Sequence, residues 1–279
     1  MSRFYRDHDG AAQVTCELVN SPHDPAARAR GGPGTTTLTL TGERTLPGIA
    51  DENYWFRRHE VAYRWLAPWC TGAVVVDAGA GEGYGAALLR GVADRVVAVD
   101  YDPAVVAHAA RAYPLLDAVR ADLQRLPVGD GTAEVVVSLQ TIEHLHDQPG
   151  FVAECARVLR PSGTLVVTTP NRLTFSPGRE TPLNPFHTRE LTGGELSALL
   201  HPAFEVARLL GVAHGRRIQR WERRHGPLVD AQLASSPEGW PARLRRFVRT
   251  LRADDFVLTG TDVDASLDLV AVAVARAGR

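Results

Sequence analysis

The stretch Val74-Val75-Val76-Asp77-Ala78-Gly79-Ala80-Gly81-Glu82-Gly83 decides how this chain is read. A short β-branched apolar run ending in an acid reads as a strand buried on both faces. Three glycines follow at alternate positions, then a helix-forming segment from Tyr84 to Gly91. Glycine lets the backbone turn tightly and lie close to a ligand where a side chain would collide. A second strand-like run, Arg95-Val96-Val97-Ala98-Val99-Asp100, ends in an acid 21 positions after Gly79. An acid about 20 residues beyond such a loop is placed to take a ribose diol. The pattern predicts a nucleoside cofactor held by Gly79, Gly81 and Gly83, with Asp100 and the adjoining Tyr101 at its ribose.

The spacing of the glycines narrows the choice. Dinucleotide folds use G-x-G-x-x-G, which sets a helix N-terminus against a pyrophosphate. Here the spacing is G-x-G-x-G, and Asp77 stands two residues before the first glycine. An acid there would repel a pyrophosphate but suits an ammonium group. The residues thus favour a cofactor that offers an ammonium group over one that offers a pyrophosphate.

Strands and helices alternate from this point. Strands are expected at Val74 to Asp77, Val96 to Asp100, about Ala118 to Ala121, Glu134 to Leu139 and Thr164 to Thr169. Helices lie between them at about 84–91, 103–113 and 148–159, with Pro103 well placed as a first helical residue. A helix near 192–200 and strands near 204–211 and 267–273 complete the count, the last strand antiparallel at the edge or beside the sixth. The fold class expected is α/β: a mostly parallel seven-stranded sheet with helices on both faces. Three regions follow: a mobile arm over 1–34, a cap region over 35–72, and the main domain over 73–279. The cap carries a helix from Asn53 to Leu66 with Asp51 as N-cap. Within the main domain, 212–255 breaks the alternation and is expected to be a helical lid over the acceptor.

Composition bounds the rest. With 279 residues, 44% hydrophobic and 23% charged, the chain can bury one substantial core. No apolar run approaches the roughly 18 residues of a membrane span, and no secretory signal is apparent, so a cytoplasmic location is expected. Cys16, Cys70 and Cys155 are too few and too scattered for a disulfide framework or a zinc knuckle. A formal net charge of −1 argues against nucleic acid as a partner. All 31 basic residues are arginine, which discounts arginine as a functional signal by itself. The arginines of the insertion, from Arg216 to Arg252, suit either a solvated helical face or contact with an anionic or lipid-linked acceptor.

Ligands of open α/β sheets bind beyond the carboxyl ends of the strands. Asp122, Leu123 and Gln140 fall there beside the glycine loop, although a lone acid at a strand end equally serves as a helix cap. The run Gln140-Thr141-Ile142-Glu143-His144-Leu145-His146-Asp147 follows strand four. His144 is the first choice for a base that removes an acceptor proton, with Glu143 as its orienter or as a ligand of the substrate hydroxyl, while the plainer reading has the pair only fasten the loop to the sheet. A cluster of His144, His146 and Asp147 could be read as metal ligands, but the spacing is not diagnostic and no metal is expected. The long connection after strand five carries His187, a second base candidate that could instead cap the next helix. Its mix of polar and aromatic side chains suits a polyhydroxylated ligand.

The Asp77 to Gly83 motif resembles motif I of the class I S-adenosylmethionine-dependent methyltransferases. The Glu143-His144 pair resembles small-molecule methyltransferases of ubiquinone biosynthesis and sugar O-methylation. Leu40-Thr41-Gly42-Glu43-Arg44-Thr45, Glu52 to His59, Asn171 to Arg179 and Asn184 to Leu191 are similar to an actinobacterial group associated with methylglucose lipopolysaccharide or mycofactocin oligosaccharides. The resemblance implies S-adenosylmethionine as cofactor and a Rossmann-like methyltransferase fold. It implies Asp122 and the Leu123 backbone at the adenine, and Arg58 or His59 at the methionine carboxylate, on a helix that equally reads as an amphipathic packing helix. The acceptor it implies is a hydroxyl of a glucose-containing oligosaccharide, with a quinone or other small molecule as the alternative.

Overall fold

The computed structural model describes residue 38 and residues 44–276. The arm expected over 1–34, Cys16 and the run Leu40 to Glu43 lie outside them. Among the described residues eight strands form one sheet: β1 (Val74–Ala78), β2 (Arg95–Asp100), β3 (Asp117–Arg120), β4 (Ala133–Leu139), β5 (Leu159–Pro170), β6 (Phe204–His214), β7 (Phe256–Thr259) and β8 (Asp268–Ala275). Their order is β3-β2-β1-β4-β5-β8-β6-β7. The first five are mutually parallel. β8 runs antiparallel between β5 and β6, so β6 again points the same way as β5. The last strand is therefore beside the sixth rather than at the edge.

β7 is an eighth strand that the seven-strand expectation lacked. It pairs antiparallel with the end of β6, Gly211 to His214 against Thr259 to Phe256. Phe256-Val257-Leu258-Thr259 is only four residues long, too short to announce itself by periodicity. β6 also runs to His214, past the start expected for the insertion. The inserted helices are α7 (Arg216–His225), α8 (Leu228–Leu233) and α9 (Ala242–Arg249).

Alternation along each strand divides the apolar residues between two cores. Val75, Val96, Val135 and Val166 face one side, packed with α1 (Asn53–Leu66), α2 (Tyr84–Arg90) and residues of α7 and α9. Val76, Val97, Val136 and Leu165 face the other, with α4 (Gln148–Val158) and α6 (Gly193–Leu200). Val75 and Val76 are both 0% exposed, and each such side chain contributes about 1.5–3 kcal/mol of burial. The remaining helices are α3 (Pro103–Ala112) and the short α5 (Arg172–Phe175). Pro103 does open α3, behind an Asp102 cap.

Asp51 does not cap α1. The turn before the helix is a 3-10 turn with no side-chain cap, and Asp51 instead accepts from Arg249 of α9 at 3.0 Å. Arg217 likewise pairs with Asp255, and Arg245 donates to the carbonyls of Pro237 and Glu238. Arg217 and Arg245 thus hold the insertion together and Arg249 ties it to the turn before α1, while Arg216, Arg220, Arg223, Arg224, Arg243 and Arg246 are exposed. Among the described residues no helix is long and apolar enough to cross a membrane.

Candidate active site

The carboxyl edge of the parallel strands gathers most of the predicted residues. Gly79, Gly81 and Gly83 have φ of 90°, 56° and 99°, the left-handed region that side chains disfavour. A Cβ on Gly79 would lie 2.3 Å from Thr141 Oγ1, so the loop is packed against the segment after β4. A Cβ on Gly81 would meet nothing within 4 Å, which marks the open side of the loop. The sequence reading missed a fourth glycine. A Cβ on Gly85 would fall 2.1 Å from the Tyr63 ring of α1, and only hydrogen there lets α1 roof the loop.

Tyr63 in turn donates its hydroxyl to both carboxylate oxygens of Asp77, at 3.2 and 3.4 Å. Asp77 is fully buried, and burial pushes its carboxyl up from the usual 3.8 to about 7, with the Asp100 charge adding to the rise. Between pH 3.8 and about 7 the folded protein keeps a proton that the unfolded chain has lost. Stability of the ligand-free protein therefore falls as pH rises through that window. At about 1.4 kcal/mol per tenfold change in proton affinity, the penalty reaches up to about 4 kcal/mol at pH 8. Asp77→Asn removes the charge and keeps an acceptor for Tyr63. Thermal denaturation should show this variant melting higher than the parent at pH 8 and level with it near pH 4. Equal melting at both pH values would remove the assignment of a buried, protonated Asp77.

Asp100 ends β2 as expected. Its Oδ2 accepts from Gly81 N and its Oδ1 from Asp102 N, both at 3.0 Å. Glu82, within the glycine loop and 5% exposed, ties the loop to α3 through His108 at 2.8 Å and to the Tyr113 hydroxyl at 2.9 Å. Nothing in the local sequence marks Glu82, because both partners lie more than 25 residues away. Tyr101 is 69% exposed beside Asp100. Asp122 is exposed and closes a turn onto Gln124 N, while Leu123 is buried in the core on the α4 side. Gln140 holds a φ of 53°, rare outside glycine, with its backbone N–H and side chain both on Thr168. Backbone strain of this kind persists where the surroundings over-determine it, commonly at functional sites.

Arg58 has a different setting from the one implied by resemblance. Its Nε and Nη2 donate to the two Asp268 oxygens at 2.6 and 2.5 Å, and Nη2 also to the Leu267 carbonyl. Both residues are buried, and the pair pins α1 to the start of β8. Gln140, Thr168, Leu139, Arg58, His59 and Asp268 are among the residues around a small cavity of about 10 Å³, room for a single water. Burial holds His59 at about 4, so the ring is neutral near pH 7 and offers no charge to a carboxylate.

The acceptor-side candidates meet across two chain segments. Thr188 N donates to the Glu143 carbonyl at 2.7 Å, and its hydroxyl reaches the carbonyls of Glu143 and Leu145. This staple brings the His144 and His187 rings edge to face, centroids 4.9 Å apart. Glu143 is 1% exposed and accepts from Thr169 Oγ1 at 2.9 Å. Burial pushes its carboxyl up to about 7. Burial and the neighbouring His187 push His144 down. His144 Nδ1 lies 3.1 Å from the Phe186 carbonyl, and His187 Nδ1 lies 2.7 Å from Glu190 Oε1. His187 caps no helix, since Thr192 and Glu195 form the capping box of α6. His146 is exposed and Asp147 caps α4 through Gly150 N, which separates them from His144 in role. Among the described residues the cluster with ligand atoms close together is instead Glu143, His144 and His187.

Known proteins resemble the chain in sequence and in fold. A family model described as a methyltransferase domain matches residues 76–167, the span from β1 to β5. A protein of Mycolicibacterium smegmatis described as a probable S-adenosylmethionine-dependent methyltransferase is 54% identical over 246 residues, covering 86% of this chain and 96% of its own. One from Mycobacterium tuberculosis with the same description is 50% identical over 273 residues, covering 93% and 99%. Among solved structures, the methyltransferase bound to the Trm112 activator of Haloferax volcanii aligns with a TM-score of 0.56 at 19% identity, over 82% of this chain and 95% of that one. The [4+2]-cyclase SpnF aligns at 0.52 and 20% identity, over 78% and 81%, so this likeness speaks for the fold alone. The full-length matches carry the assignment: the chain belongs to the S-adenosylmethionine-dependent methyltransferases and is an enzyme that uses S-adenosylmethionine.

Proposed function

We propose that the enzyme methylates oxygen, on a hydroxyl of a glucose-containing oligosaccharide of the methylglucose lipopolysaccharide or mycofactocin type. The observation that carries oxygen as the acceptor atom is the meeting of Glu143 and His144, just beyond Gln140, with His187 from the connection after β5. A hydroxyl must lose its proton as it attacks, and this cluster supplies imidazole and carboxylate groups to receive it. His144 is the proton acceptor, and Glu143 and His187 orient it. The sugar rests on the resemblance of Asn171 to Arg179 and Asn184 to Leu191, in a connection rich in polar and aromatic side chains.

The residues present fit the cofactor. The open flank of Gly81 admits a ligand against the backbone, Asp100 keeps lone pairs on both oxygens for a diol, and Asp77 suits an ammonium group. Asp122 and Leu123 border the adenine, and Tyr101 lies beside the ribose. S-adenosylmethionine, when bound, supplies an electrophilic methyl group. The protein's part is alignment, exclusion of water and removal of the acceptor proton. Arg58 works through Asp268, holding α1 in place as the roof, and α7 to α9 serve as the lid over the acceptor.

A second reading has its own support. The ubiquinone biosynthesis O-methyltransferase of Xanthomonas campestris is 32% identical over 107 residues, though this covers only 36% of the chain and 44% of that protein. The two readings separate in one assay. Protein supplied with methyl-labelled S-adenosylmethionine should transfer label to a glucose oligosaccharide as an alkali-stable ether and leave a catechol or quinol unlabelled. Label found only in the phenolic acceptor would reverse the choice.

A further inference from the structure

We infer that Glu143, His144 and His187 form a binding site for one first-row divalent transition ion of the zinc or cobalt type. One ligand atom from each residue lies within 4.8 Å of those of the other two. Two imidazoles and one carboxylate on one side of an ion leave its other positions open, and imidazole selects transition ions over magnesium. Bonds to such ions are about 2.0–2.2 Å, so the three ligand atoms need to close by roughly an ångström or two.

The surroundings of the triad are those of a metal site. A coordinating histidine almost always donates its second ring N–H to a carboxylate or a carbonyl, which fixes tautomer and ring direction. Here the Nδ1 atoms of both rings face such groups, Glu190 for His187 and the Phe186 carbonyl for His144. With Nδ1 donating, the coordinating atom of each ring is Nε2. The Asn184 amide now donates to His187 Nε2 at 2.9 Å and is the group an ion would displace. Glu143 and Glu190 are 1% and 2% exposed, and Glu190 Oε2 has no hydrogen-bond partner. The Thr188 staple and the bond from Gln148 Nε2 to the Arg189 carbonyl hold the two segments in register.

This deepens the methyl-transfer reading and rests on it only for the ion's role. With the ion bound, its open positions would hold the acceptor hydroxyl and acidify it so that its proton passes to solvent water, and His144 would act as a ligand rather than as a bare base. The test uses tag-free full-length protein stripped with chelator and desalted, titrated with Zn²⁺, Co²⁺ and Mg²⁺ by calorimetry. Zn²⁺ and Co²⁺ should bind one per chain, survive gel filtration and give cobalt d–d absorption, with no heat from Mg²⁺. Glu143→Gln and His187→Gln should each weaken binding by about tenfold or more. Glu190→Gln should weaken it about 10–100-fold while leaving all three ligands in place. Should His187→Gln fail to fold, judged by circular dichroism without metal, Glu190→Gln decides. Failure to retain either ion, or equal binding by the folded variants, overturns the site. Calorimetry of S-adenosylhomocysteine on the stripped protein keeps the two ideas apart. Donor-product binding without metal binding leaves His144 as the bare base, whereas loss of donor-product binding strikes the methyl-transfer reading itself.

Discussion

Asp100→Ala should weaken binding of S-adenosylhomocysteine by about 100-fold or more, measured by calorimetry. The carboxylate now anchors Gly81 N and Asp102 N, and each oxygen has a further lone pair for a ribose hydroxyl. Two hydrogen bonds to a charged acceptor are worth about 1.5–3 kcal/mol each, and about 3 kcal/mol already exceeds a hundredfold in affinity. Truncation also frees the Gly81 amide and loosens the loop at its open flank. Asp100→Asn separates the two contributions, because its amide oxygen preserves one acceptor without the charge and should fall between parent and alanine. An alanine variant that binds the donor product like the parent would show that the ribose lies elsewhere.

His144→Ala is expected to lower kcat by about 10²–10⁴ while leaving S-adenosylhomocysteine affinity unchanged. The ring is held between the Phe186 carbonyl and His187, on a segment tied to the 184–190 loop by Thr188. None of these contacts touches the glycine loop or Asp100, so a loss confined to turnover separates the acceptor pole from the cofactor pole. Burial already biases the ring toward its neutral form, the form able either to accept a proton or to ligate an ion. The loss is common to both roles, and the metal titration tells them apart. Unchanged turnover with a saturating acceptor would remove His144 from the chemistry altogether.

Much of this molecule is legible wherever the determinants are close along the chain. Val74 to Gly83 and Arg95 to Asp100 read correctly because a buried strand and a glycine turn are specified by a few consecutive residues. Strand ends at Asp100 and Leu139 place the ligand-facing residues on one edge, and parallel order then follows from right-handed crossovers. Helix α3 announces itself by its first-turn proline, whereas the Asp147 cap of α4 and the Thr192–Glu195 capping box of α6 emerged with the structure. The resemblance added the cofactor's identity to that local reading.

Pairings between distant segments were not legible in the same way. Arg58 meets Asp268 across 210 positions, and His144 meets the Phe186 carbonyl across 42. No periodicity encodes such partners. A guanidinium suited to a carboxylate is equally suited to a ligand or to a buried aspartate, and only packing of α1 onto β8 chose the aspartate. Gly85 and Glu82 were silent for the same reason: their roles depend on Tyr63 in one case and on His108 and Tyr113 in the other. The sequence by itself determined the alternation, the glycine loop and the carboxyl edge on which Asp100 and Gln140 stand, since propensity and burial act over a few residues. The tertiary structure decided the insertion of β8 between β5 and β6, the extra edge strand β7 and the union of Glu143, His144 and His187. Those depend on which surfaces come together in space, and that is set by the packing of the whole sheet.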